Sequence, residues 1–186
     1  MQYYIFEGSC EVTAQAIRSP DGRFLGRYGE FAKYWEVDHG IASVPFLDTE
    51  ADIESSDDLP DIIDVYLETM VSSRVQSLLT QFDCDPTICF LPARIINRAE
   101  VELSSAYVMP FSRFWHNAIA PTASNAELAD SGAIIKIRRW VFDRTRIPLF
   151  DLWYAHRLHW VVSERLANAL YDAQVTNMLL KEISVE

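Results

Sequence analysis

Two stretches of the chain carry a clear helical pattern, and each is followed by a run that reads as a strand. Val75, Leu78, Leu79 and Phe82 recur at i, i+3, i+4 and i+7, the apolar stripe of a helix lying on a core. Ser72 stands just before this stripe, where a hydroxyl accepts a hydrogen bond from a free amide of the first turn. Further along, Val162-Ser163-x-Arg165 repeats Val71-Ser72-x-Arg74, and Leu166, Ala169, Leu170 and Ala173 take the apolar positions at the same constant offset. Asp83 to Pro86 breaks the first helix ahead of Ile88-Cys89-Phe90-Leu91, and Met178 to Ile183 follows the second. A match this short fits an old duplication and fits convergence on good helix chemistry equally well.

The other elements are mostly strands. Gln2 to Phe6, Ala106 to Phe111, Ala133 to Ile137, Trp140 to Phe142 and Leu149 to Tyr154 are rich in β-branched and aromatic residues. Ser124-Asn125-Ala126-Glu127 allows a short helix. Ser19-Pro20-Asp21-Gly22 marks a turn, and Phe24 to Val44 has no assignable period. Asp48 to Asp58 lacks apolar periodicity and reads as an exposed loop, with Leu59-Pro60-Asp61 returning the chain to the core. Ile62 to Val71 fits either a helix or an extended piece. Strands that neighbour one another in sequence favour an α+β class. The expected architecture is a single domain over residues 1–186, with a largely antiparallel sheet carrying two similar helix-then-strand units.

Composition supports a folded body. The chain has 186 residues of which 49% are hydrophobic, enough to bury one core. The start, Met1 to Glu7, has no basic segment or long apolar run, so no signal peptide is expected. No stretch approaches the run of about 18 apolar residues that a membrane span requires. Three cysteines without a Cys-x-x-Cys pair suggest neither a disulfide framework nor zinc, and point to a cytoplasmic location.

Charge changes the picture more. The net charge is −11. Residues 34–73 hold eleven acids (Glu36, Asp38, Asp48, Glu50, Asp52, Glu54, Asp57, Asp58, Asp61, Asp64, Glu68) and no Lys or Arg, while the rest of the chain has 16 of each sign. Such a block marks either a solvated loop or a surface that captures something basic, and it argues against nucleic acid as a partner. Trp35, Phe46 and Tyr66, in this stretch, are candidate aromatic anchors for a partner, to be weighed against ordinary core packing. Lys136, Arg138, Arg139, Arg144 and Arg146 form a basic run that offers the acids an internal destination instead.

Motifs for catalysis are sparse. The chain has no Gly-rich phosphate loop, Gly-x-Ser-x-Gly elbow or His-Glu-x-x-His. His156 and His159 near Asp151 are possible metal ligands, but residues three apart on a strand face opposite ways. Cys10 and Cys89 read as small buried hydrophobes rather than nucleophiles. Asp57-Asp58 and Glu100/Glu102 read as solvated charges, without the apolar pocket that raises a catalytic carboxyl.

The stretch Leu149-Phe150-Asp151 through Val161-Val162-Ser163-Glu164-Arg165-Leu166-Ala167-Asn168-Ala169-Leu170 resembles the closing segment of a bacterial immunity-protein family of polymorphic toxin systems. This is immunity family eleven, formerly a domain of unknown function. Tyr3-Tyr4-Ile5, Leu59-Pro60-Asp61 and the Ser73-Arg74 helix leading to Phe90-Leu91-Pro92 are similar to it in order and spacing, so the resemblance spans nearly the whole chain. Beyond the first strand the opening forty residues match poorly. The resemblance implies an antitoxin-like protein of interbacterial competition that binds and blocks a cognate toxin, which an adjacent gene would encode, with no catalysis and no cofactor.

On that expectation the toxin-binding candidates are Trp35, Glu36, Asp38, Phe46, Asp48, Glu50, Asp52, Glu54, Asp57, Asp58, Asp61 and Tyr66. The alternatives are a small hydrolase or transferase with an unrecognised site, and an acidic DNA-mimic or scaffold module.

Overall fold

The computed structural model describes residues 1–9, 14–18, 47–51, 53, 55–65, 68–112, 114–131, 134–155 and 159–186. Strands β1 (Tyr3–Gly8), β2 (Ala14–Arg18), β3 (Leu47–Ala51), β4 (Ile62–Val65) and β5 (Glu68–Ser72) precede helix α1 (Ser73–Leu79). Then come β6 (Ile88–Ile96), β7 (Glu102–Ser112), β8 (Glu127–Leu128), β9 (Ile134–Lys136), β10 (Val141–Phe142), β11 (Leu152–Ala155) and β12 (His159–Ser163). Helix α2 (Glu164–Asp172) and β13 (Met178–Val185) close the chain. The class is α+β, with sheets that are mostly antiparallel.

The strands form two large sheets rather than one. A six-stranded sheet runs β2-β3-β6-β7-β5-β4, a five-stranded sheet runs β10-β13-β1-β12-β11, and β8-β9 make a small ribbon. Each large sheet contains one parallel pair, β3 with β6 and β10 with β13. The amino-terminal strand β1 sits between β12 and β13, so the second sheet joins the two ends of the described chain.

Alternating side chains bury both faces of the strands. On β1, Tyr3 and Ile5 enter one core cluster with Trp153, Phe142 and Ile183, while Phe6 enters another. On β5, Met70 packs with Leu47, Ile95 and Phe111, and Val71 turns the other way. Phe6 and Val71 meet in a cluster shared by both sheets and both helices, with Val75 and Leu79 from α1 and Leu166 and Leu170 from α2. The helices are short because their apolar stripes are short. Each is capped as its sequence indicates: Ser72 Oγ accepts from Val75 N at 3.3 Å, and Ser163 Oγ from Leu166 N at 3.3 Å. Phe82 lies beyond the end of α1 and reaches the core from the turn.

Two expectations are corrected and one open choice is decided. Residues 47–51 are a strand, not an exposed loop: Leu47, Thr49 and Ala51 point inward and Asp48 and Glu50 to the other face. Only one of those inward residues is a large hydrophobe, so a period of two was hidden. Of the two readings open for residues 62–71, the extended one holds at the described positions, where β4 pairs antiparallel with β5 and Ile62 stands opposite Val71. No helix forms at Ser124 to Glu127, where residues 121–125 turn, Asn125 has φ of 47° and β8 begins at Glu127.

Candidate functional site

The acidic stretch begins, among described residues, on β3. Parallel pairing sets Asp48 opposite Arg94 of β6, and the guanidinium donates two bonds to the carboxylate, at 2.7 and 2.8 Å. Arg94 also reaches Glu102 at 3.5 Å. A planar fork facing a carboxylate in this way is the strong form of ion pair, so Asp48 serves as an internal staple between β3 and β6. Glu50 follows on the same face of β3, half-buried. Asp57 and Asp58 are different. They stand exposed on a 3-10 turn, Ser56–Asp58, whose preceding Ser55 hydroxyl accepts from Asp57 N at 3.2 Å.

Asp61 sits at the mouth of β4 and is tied by three residues. Its carboxylate accepts from Ser72 Oγ at 2.7 Å, from Arg74 Nε at 3.2 Å and through Arg74 Nη2, and from the backbone and hydroxyl of Thr176 at 3.0 and 3.1 Å. Its carbonyl accepts from Ser72 N at 2.8 Å. Arg74 continues to the carbonyl of Ala173, at the end of α2, at 2.8 Å. Burial by itself would raise this carboxyl, but the bonds from Arg74, Thr176 and Ser72 outweigh it and hold its pKa below the usual value. One aspartate thus joins the cap of α1 to the turn that ends α2.

A second cluster uses the same residue types in the other direction. Asp151 accepts from Ser163 Oγ at 2.5 Å, from Arg165 Nε at 3.3 Å and through Arg165 Nη2, and from the backbone of Asp83 at 3.2 Å. Its carbonyl accepts from Ser163 N at 2.8 Å, and Arg165 also reaches the Asp83 carboxylate at 3.3 Å. Asp83 belongs to the turn after α1, so the cap of α2 is joined to the end of α1. The Asp151 pKa is lowered although burial opposes this, because Arg165, Ser163 and the Asp83 amide favour the charged form.

Two further acids are absorbed by the fold or by a histidine. Asp64 accepts from Gly8 N at 2.9 and 3.0 Å and from Thr69 Oγ1 at 3.0 Å. Its pKa is nonetheless raised, burial being the largest cause. Asp85, only 3% exposed, lies 2.6 Å from His116 Nε2 and accepts from both the backbone and the hydroxyl of Thr87. Its pKa is lowered against the effect of burial by Thr87 and His116. Sequence reading missed this pair because 31 positions separate the partners. Nearby in the chain, the Cys84 thiol is pushed up to about 11 by burial and by Asp151, Asp83 and Asp85.

The described candidates therefore do not converge. Asp48 and Asp61 are paired with the chain's own arginines, Asp57 and Asp58 face solvent, and Glu50 lies beside Asp48. Trp35, Glu36, Asp38, Phe46, Asp52, Glu54 and Tyr66 lie outside the described residues, as do Cys10 and His156. His159 packs edge-on against Trp140, ring centres 4.5 Å apart. From the basic run, Arg146 pairs with Asp143 at 3.1 Å and Arg139 reaches the Ala123 carbonyl at 3.3 Å; the internal partners of Asp48 and Asp61 are Arg94 and Arg74.

No family model and no curated protein matches the chain.

One cleft adjoins the Asp61 cluster. It holds about 220 Å³ between α1 and the turn after α2, with Arg74 on its wall beside Val75, Leu78 and Val175. No described helix is long and apolar enough to cross a membrane.

Proposed function

We propose that this chain is an immunity protein that binds and neutralises a cognate secreted bacterial toxin. The observation that carries the reading is the outward-facing part of the one-sided charge, the exposed turn at Asp57 and Asp58. Residues 34–73 hold eleven acids and no base, in a chain otherwise balanced, and Asp57 and Asp58 project from their own exposed turn. An acidic projection of this kind accelerates encounter with a basic surface and rejects acidic ones. Three residues on, Asp61 fixes Arg74 at the wall of an apolar cleft, a place where a protein interface finds its central contacts. The order of the family-like motifs, from Tyr3-Tyr4-Ile5 to Val162-Ser163-Glu164-Arg165, supports the same reading. The toxin is a protein from an adjacent gene, held without catalysis, and the complex forms in the cytoplasm.

The same reading includes a body built from two similar helix-then-strand units. The paired Asp-Ser-Arg clusters support this: Asp61, Ser72 and Arg74 in the first unit answer to Asp151, Ser163 and Arg165 in the second. The strand orders agree as well. β4-β5-β7-β6-β3 follows the pattern of β11-β12-β1-β13-β10, with the parallel pair in the same place.

A small enzyme is the second reading, favoured by the Asp85-His116 pair. Cys84 argues against a thiol nucleophile beside it, because a thiol pushed up to about 11 is the reverse of an activated thiolate.

The test is protection. Expression of the adjacent gene's toxin domain should arrest growth, and co-expression of this chain should restore it. Growth arrest that persists with soluble, folded chain present refutes the proposal.

A further inference from the structure

We propose that the cleft beside Arg74 receives an aromatic side chain of the partner protein, filling the place that Phe82 fills inside the second cluster. The inference rests on the inhibitor reading above, which supplies the partner.

The two helix turns compare position by position. Each helix begins at a capping serine, Ser72 or Ser163, and ends at a capping residue in right-handed conformation, Thr80 or Ala173. A glutamine follows each, Gln81 and Gln174. Two residues further, the Asp83 and Thr176 amides bind Asp151 and Asp61, each the aspartate of the other cluster. Between these landmarks stand Phe82 and Val175, which therefore hold equivalent places. Their consequences differ. Beneath Arg165 lies the Phe82 ring, its centre 5.2 Å from the guanidinium carbon. Beside Arg74 lies the smaller Val175, and there the structure opens into a cleft.

The cleft suits the missing ring. Its volume of about 220 Å³ exceeds the roughly 150 Å³ of an apolar cavity that accepts benzene. Its walls include the apolar Val75, Leu78 and Val175, and a guanidinium on the rim attracts a ring face. Arg74 is already held by Asp61 and by the Ala173 carbonyl, so binding orders no flexible side chain there. The chemistry around the occupant follows from the exposed acids that precede the cluster in the chain. Asp57 and Asp58 precede Asp61 closely in the chain, so the incoming Phe, Tyr or Trp should project from a basic surface.

The experiment is a methyl NMR titration of the whole chain with N-acetyl-phenylalanine amide, using N-acetyl-glycine amide as control. Saturable shifts confined to Val75, Leu78 and Val175 are expected with the aromatic probe alone, at the millimolar affinity of so small a ligand. Val175→Phe should weaken the probe at least tenfold by supplying the ring from within, and Leu78→Phe, a second filler, should do the same. Absent shifts, shifts scattered over the core, or shifts unchanged in a folded filler variant would overturn the inference; the wild-type pattern decides should neither variant fold. With the toxin domain, equal binding by wild type and Val175→Phe removes the cleft but leaves the inhibitor reading. A toxin domain that binds neither removes the inhibitor reading, while the titration still decides the cleft.

Discussion

Replacing Asp61 by Ala should destabilise the protein out of proportion to its place at a strand mouth. The side chain is 11% exposed, and its carboxylate accepts from Ser72, Arg74 and Thr176. Arg74 is 55% exposed, so losing its partner costs little, at most about 1 kcal/mol. The Ser72 hydroxyl, part-buried beneath Asp61, cannot be made good so easily. Hydrogen bonds to a charged group contribute about 1.5–3 kcal/mol, and the unmade bonds of the groups left behind add to the loss. We expect about 2–4 kcal/mol for Asp61→Ala and about half as much for Asp61→Asn, which keeps one acceptor. Arg74→Ala should cost about 1 kcal/mol or less. The assay is urea unfolding followed by tryptophan fluorescence and far-ultraviolet dichroism, with the slope checked for constancy. A loss below about 0.5 kcal/mol for Asp61→Ala, with unchanged slope, would show that the cluster does not hold α1 to the end of α2.

Other consequences are equally direct. Leu170→Ala should cost about 2–5 kcal/mol, because the side chain is fully buried in the cluster shared by both sheets and both helices; denaturant unfolding measures this. In Gly8→Ala the new Cβ would stand 2.8 Å from the Asp64 carboxylate carbon. The carboxylate must then shift off the Gly8 amide, and a loss of about 1–3 kcal/mol should appear as a lower melting temperature. Asp61, Asp85 and Asp151 have folded pKa values below their unfolded ones. Their stabilisation is therefore present above about pH 4 and lost as pH falls through the folded values. Asp64 is raised, so its contribution has the opposite sign, present at low pH and lost as pH rises through its folded value. Acid unfolding should accordingly be flatter in Asp151→Asn and steeper in Asp64→Asn. Asp57→Asn with Asp58→Asn should slow association with the toxin domain and reduce its salt dependence while leaving stability unchanged. Stopped-flow mixing at low salt would expose the error if the rate does not move.

What the sequence revealed was what chemistry made local. Ser72 and Ser163 could be read as caps because the groups they serve lie three residues away, and Leu166 and Leu170 as core because a helix repeats on that scale. The first strand was visible from its aromatic and β-branched run, and the last as an apolar run following the second helix. The rest required three dimensions. Arg74 meets Asp61 only after the antiparallel pairing of β4 with β5 brings position 61 against the cap of α1, and Arg94 meets Asp48 only through parallel pairing of strands distant in sequence. β3 escaped notice because Thr49 and Ala51 fill inward positions that a search for large hydrophobes passes over. The acids of this stretch therefore divide in a way that composition could not show: Asp48, Asp61 and Asp64 are spent inside the fold, and Asp57 and Asp58 face outward.

Binding remains the decisive question. Isothermal titration of the purified chain into the toxin domain that the proposal places in an adjacent gene should give a one-to-one complex with a dissociation constant on the order of 10 nM or tighter. Folded chain that produces no binding heat at about 50 μM, at two temperatures to guard against a chance zero in enthalpy, would contradict the account.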